Sequence, residues 1–134
     1  MTLNLPPTPG LVYAALISPD GQLLAKLGQN NADPAIVAVL IQGAMAAVTD
    51  LGQRSQMGNC GEMIVNYQLG CLLVITGASG HLALFQYTPD ASLPLLRQHG
   101  QSMLASAIGS VQPQEPARTP NRQSLMDALN VEAP

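Results

Sequence analysis

The stretch VITGASGHLA, residues 74–83, decides which fold this sequence can adopt. An apolar run leads into Gly77, Gly80 and Ala83 at three-residue spacing, the string with which dinucleotide-binding domains open. Such a fingerprint works only between a strand and a helix, because the helix N-terminus holds the pyrophosphate. The segment after the glycines, HLALFQY (81–87), has the aromatic and branched content of a strand, and no helical pattern begins before residue 91. Gly77-Ala78-Ser79-Gly80 therefore reads as a loop between two antiparallel strands.

Working outward, CLLVIT (71–76) is apolar without alternation, the pattern of a strand buried on both faces. EMIVNYQL (62–69) precedes it as another strand, with a turn at Leu69-Gly70. Upstream, LVYAALI (11–17) and QLLAKL (22–27) flank the turn sequence Ser18-Pro19-Asp20-Gly21. After a loop, Asp33 is a natural N-cap and Pro34 suits the first helical position. The spacing predicts a helix from Pro34 to about Leu51, ended by Gly52. A second helix, capped by Asp90 or Ser92 with Pro94 in its first turn, reaches about Val111. Its core stripe is Leu93, Leu96, Met103, Leu104, Ala107 and Ile108.

The order is thus β-β-α-β-β-β-α. Most connections are too short for parallel crossovers, so the sheet is antiparallel, and two helices cover one face each. This is an α/β protein of the α+β kind. Residues 11–111 form the domain and 1–10 an N-terminal extension. Residues 112–134 hold a Pro-rich linker (QPQEPARTP, 112–120) and a short C-terminal segment. In that segment Thr119 and Pro120 suit the start of a short helix with Leu125, Met126 and Leu129 on one side.

On the long helix, Ile36, Leu40, Ile41, Ala44, Val48 and Leu51 form an apolar stripe that reads as the core side. The other side, Ala35, Val39, Gln42, Ala46, Thr49 and Gln53, carries no charge, where an ordinary solvent face shows Lys and Glu. It is therefore either covered by something or unusually bland.

Composition narrows the function. Of 134 residues 47% are hydrophobic and only 10% charged, which excludes a disordered chain. Five Lys and Arg, scattered, against eight Asp and Glu make no nucleic-acid surface. So few charges defend poorly against self-association. No signal-peptide pattern opens the chain and no apolar run reaches membrane-spanning length, so a cytoplasmic protein without membrane insertion is expected. His81, His99, Cys60 and Cys71 lack zinc-ligand spacing, and the two cysteines read as free thiols. No serine has a nucleophile-elbow context, and Asp20, Asp33 and Asp90 sit where turns and caps explain them. No catalytic residue, cofactor or metal is expected.

YAALISPDGQLLAKLG (13–28), the long helix, and LGCLLVITGASGHLALFQYTPDASLPLLRQ (69–98) together resemble the roadblock domain family, the dynein light-chain roadblock type. That family also has a strand, an SPDG-like turn and a strand before its long helix, then a three-strand meander and a second helix. The resemblance covers residues 11–111. A helix often precedes the first strand in the family, and LPPTPG (5–10) argues against one here. The resemblance implies a roadblock/profilin-like sheet of order 2-1-5-4-3, with residues 22–27 and 62–69 at its edges. It also implies a non-enzymatic, homodimeric regulator or adaptor that binds a small Ras-like GTPase or another signalling protein. Some bacterial members stimulate GTP hydrolysis by their partner. An arginine-finger mechanism requires an exposed arginine, and Arg54 is the candidate. A scaffold role without a GTPase and a small nucleotide-binding enzyme are the alternatives.

The strand 22–27 carries Lys26, a usual edge guard, whereas EMIVNYQL has neither Lys nor Pro. A homodimer pairing this edge about a two-fold axis would use Met63, Ile64, Val65, Asn66 and Tyr67. It would bring the long helices together at Gly43 and Ala46. Ala35, Val39, Gln42, Thr49 and Arg54 are the expected partner-binding residues.

Overall fold

The computed structural model describes residues 3–111, with side chains as far as residue 107. The C-terminal segment, with its candidate helix start at Thr119, lies outside the described residues. The chain divides into two compact units, Met1–Leu104 and Ala105–Pro134, and the packing described below belongs to the first.

Seven elements occur in the expected order: β1 (Leu11–Ile17), β2 (Leu23–Gly28), α1 (Pro34–Arg54), β3 (Glu62–Tyr67), β4 (Gly70–Thr76), β5 (Leu82–Tyr87) and α2 (Leu93–Val111). The strands form one antiparallel sheet of order β2-β1-β5-β4-β3. The order 2-1-5-4-3 and its two edges are thus as expected. β5 lies at the centre, and Leu82 through Phe85 are all buried. Side chains alternate across a strand, so these four residues need cover on both faces.

On one face Tyr13, Ala15, Ile17, Val74, Leu82 and Leu84 pack with Ala38, Ile41 and Met45 of α1. On the other, the alternate residues Ala14, Leu16, Leu73, Ile75, Ala83 and Phe85 are buried, as are Leu96, Met103 and Leu104 of α2. Gly100 brings α2 against Ile75 and Phe85, and Leu104 lies against Gly77. One helix per face is the expected two-sided cover.

Local chemistry sets the boundaries. Asp33 caps α1, its carboxylate accepting from the Ala35 N–H at 2.9 Å, and Pro34 occupies the first turn. Ser92 rather than Asp90 caps α2, accepting from the Leu95 N–H at 3.3 Å. Asp90 instead takes the Thr88 hydroxyl, which holds its carboxyl below the usual range. The expected stop at Gly52 is incorrect: α1 runs on to Arg54. A helical glycine costs only about 1 kcal/mol, and here a Cβ would lie 2.5 Å from the Gly58 carbonyl oxygen. Gly52 is therefore present for the returning loop. Ser55, Gln56 and Met57 then donate back to the carbonyls of Leu51, Gln53 and Gly52.

The β3–β4 turn also differs from expectation. Tyr67 pairs with Gly70, so Gln68-Leu69 rather than Leu69-Gly70 form the two-residue loop, and Cys71 lies opposite Asn66. Neither loop residue has a positive φ. Both cysteines are free and half-buried.

The Gly77–Gly80 loop joins β4 to β5 as a hairpin, with Gly77 donating to the His81 carbonyl and Gly80 to that of Gly77. No helix starts there, so the geometry of a dinucleotide site is missing from this loop.

Gly28 closes β2 at φ +83°, and a Cβ there would lie 2.3 Å from the Val12 carbonyl oxygen. Gly28→Ala is expected to lower stability by about 2 kcal/mol through strain and clash together. Urea unfolding of the variant beside the wild type checks this, and an unchanged midpoint would contradict it.

Candidate interaction surface

The long helix presents two apolar sides, and the sheet covers only one. The covered side is Ala38, Ile41 and Met45, with Val37 partly packed against the same cluster. Ile36, Leu40 and Leu51, expected in the core, are instead 55%, 65% and 61% exposed, and Val48 and Ala44 are exposed with them. The expected core stripe is thus incorrect, apart from Ile41. At 100° per residue Ile36, Leu40, Gly43, Ala47 and Leu51 form the outermost line of the helix, pointing away from the sheet. Gly43 has open space around it.

The residues expected to meet a partner sit around this line. Ala35, Val39 and Ala46 are exposed, whereas Gln42 and Thr49 are half-buried on the flank. There they line a groove with Pro19, Thr76 and Leu82. Arg54 lies in the last turn of α1 rather than beyond it, and its Nε donates to Asp50 Oδ2 at 2.8 Å across one exposed turn. Such a pair contributes little to stability.

α1 is also long and apolar enough to cross a membrane, contrary to the expectation that no segment was. Its inner side is part of the domain core, so leaving the sheet would expose Tyr13, Leu82 and Leu84.

The strand edge next to this face is open. Ile64 and Tyr67 are exposed on β3, and Leu69 at the adjoining turn is 98% exposed. Met63 turns inward against the core, and Val65 is half-buried. The opposite edge is partly occupied: the Leu3 N–H donates to the Lys26 carbonyl of β2 at 2.9 Å. At the start of β3, Glu62 accepts two hydrogen bonds from Arg97 of α2, each 2.8 Å. The Arg97 hydrogen bonds lower the Glu62 pKa, and the same contact raises that of Arg97.

His81 Nδ1 meets the Ser79 hydroxyl and His99 Nε2 that of Thr8, whose hydroxyl also donates to the Pro6 carbonyl at 2.8 Å. Among the described residues no cluster of His, Cys, Asp and Glu is suited to hold a metal.

No family model and no curated protein matches this chain. Solved structures do. A roadblock/LC7 domain from Streptomyces avermitilis superposes with a TM-score of 0.69 at 21% identity, covering 78% of this chain and 88% of that one. The chain has the roadblock/LC7 fold. MglB of Myxococcus xanthus matches it with a TM-score of 0.67 at 21% identity, over 75% of this chain and 85% of its own. A gliding protein, mglB, from Thermus thermophilus matches at 0.59 and 23%, over 69% and 71%. Within this roadblock fold the exposed apolar line of α1 and the free edge of β3 are two features that the domain's own packing leaves unexplained.

The assignment of the two sides of α1 is checked by a pair of charges. Ala38→Glu buries an unpaired carboxylate in the roadblock core and is expected to cost more than about 3 kcal/mol. Leu40→Glu is expected to leave the folded spectrum intact, because the side chain enters water. Circular dichroism with thermal melts reads both, and equal damage from the two would refute the assignment.

Proposed function

We propose that this protein is a non-enzymatic, homodimeric regulator or adaptor of the roadblock type, acting in the cytoplasm on a small Ras-like GTPase or comparable signalling partner. The observation that carries this reading is the exposed apolar line Ile36, Leu40, Gly43, Ala47 and Leu51 beside an unguarded strand edge. Monomeric soluble proteins rarely leave so continuous an apolar surface open.

A two-fold axis beside β3 gives one economical cover. Two β3 edges pair antiparallel through Met63 to Tyr67 and extend the sheet to ten strands. The same axis draws the α1 helices together, with Gly43, Ala46 and Ala47 allowing close approach. Ala35, Val39, Gln42, Thr49 and Arg54 then border a joint helical platform where a partner docks.

Sedimentation tests the dimer. The wild type is expected at dimer mass at micromolar concentration, while Val65→Pro and Ala47→Glu, one on each half of the interface, sediment as folded monomers. A monomeric wild type, or two folded variants that both keep dimer mass, would remove this reading.

The scaffold alternative has one observation in its favour: Arg54 is engaged by Asp50 instead of reaching outward alone. Arg54→Ala separates the two roles once a GTPase partner has been isolated with the protein from native extract. An arginine finger supplies about 10³-fold or more in rate, so its loss would collapse stimulated hydrolysis. A scaffold would leave the hydrolysis rate and the complex unchanged.

A further inference from the structure

Between the first half of α1 and the sheet lies a cavity of about 390 Å³, open toward the β3–β4 turn. Leu72 and Leu84 line its inner wall on the sheet, and Leu40, Tyr67 and Leu69, all exposed, stand at its mouth. No charged side chain lines it. Such a lining suits an uncharged, apolar group.

At the opposite end of β3 an apolar side chain is left in water. Met57, in the loop between α1 and β3, is 74% exposed. Its N–H donates to the Gly52 carbonyl at 2.7 Å. That bond ties the loop to the last turns of α1, and so to the face of the sheet on which the cavity lies.

Strand geometry brings these two features together across a pair of copies. Antiparallel pairing of two β3 edges through Met63 to Tyr67 sets Met63 opposite Tyr67 of the second copy. In the same register Gly61 falls opposite Leu69 of the second copy. Met57 lies four residues further along, a reach of at most about 14 Å. The two-fold axis stands upright to the sheet, so both α1 helices, and both Met57 loops, share one face. The loop of each copy therefore arrives at the cavity mouth of the other, and the contact is mutual.

We propose that Met57 of each copy seats in the cavity beneath α1 of the other and anchors the homodimer. A flexible thioether fills an irregular apolar space well, and the Tyr67 ring at the mouth offers its sulfur an aromatic neighbour. This inference rests on the homodimer through β3 and adds to it a named anchor and the site that receives it.

Sedimentation of the full chain is the first test. Met57→Ala, at an exposed position, is expected to stay folded and to weaken the dimer about a hundredfold, because truncating an anchor commonly costs tenfold or more and symmetry repeats the loss. Met57→Leu, of similar volume, should keep the wild-type affinity within about threefold. Cross-linking is the second test. Cys60→Ala and Cys71→Ala remove the native thiols, and one copy carrying Met57→Cys is mixed with another carrying Leu69→Cys and oxidised. A disulfide-linked pair is expected from the mixture and from neither variant alone, because like positions lie at opposite ends of the joint edge.

A wild type that sediments as a monomer would overturn the anchor and the homodimer together. A dimeric wild type whose affinity Met57→Ala leaves unchanged, or whose mixed copies do not cross-link, would overturn the anchor alone and leave the cavity to another occupant.

Discussion

One helix with two apolar sides governs this structure. A sheet can bury a single stripe of a helix laid across it, and in α1 that stripe is the slender one: Ala38, Ile41 and Met45. That stripe shares one buried cluster with Tyr13, Leu82 and Leu84 of the sheet. The bulkier residues Ile36, Leu40 and Leu51 remain in water. At roughly 25 cal/mol per Å², an open surface of this kind is a standing drive toward a second body. In the proposed dimer, the hydrophobic effect that assembles the core would also drive association.

The two sides of the sheet have different characters as a result. The α2 side is self-sufficient, with Leu96, Met103 and Leu104 buried and Gly100 seated on Phe85 and Ile75. The α1 side combines an incomplete cover, an open cavity and a buried Tyr13 hydroxyl with no hydrogen-bond partner. The edges are likewise unequal. The chain's own start donates a hydrogen bond to β2, whereas β3 offers its outer backbone to whatever arrives. Incompleteness is gathered on one quadrant of the domain.

The fold was legible because its signals were local. Asp33-Pro34 announced a helix start, Ser18 to Gly21 and Gly77 to Gly80 marked turns, and apolar runs without alternation marked inner strands. The sheet order came instead from the resemblance to a family, since pairing between distant strands leaves no mark at either one. The site was only partly legible. That α1 lacked an ordinary solvent face could be read from its missing charges. Which apolar side faced the sheet could not be, because periodicity locates stripes without saying what lies opposite. Choosing the bulkier stripe for the core was the natural error. Gly52 misled for a related reason: its partner, the Gly58 carbonyl, lies in a loop whose return path no short-range pattern encodes. The cavity beneath α1 was invisible in sequence, where Tyr13 on its wall is simply one inward residue of LVYAALI.

The Gln68-Leu69 loop gives β3 a distinctive temperament. Two-residue hairpins usually adopt primed turns with positive φ, whose handedness follows the twist of the strands they join. Here both residues keep negative φ, and β3 has one neighbour and no fully buried residue. Opening is easiest where apolar contacts are few and the backbone is exposed. In amide exchange β3 would therefore be the first strand to give up its protons, long before β5 beneath both helices. A strand so loosely tethered can adjust its twist to fit a mate, and gains its full set of backbone bonds only in company.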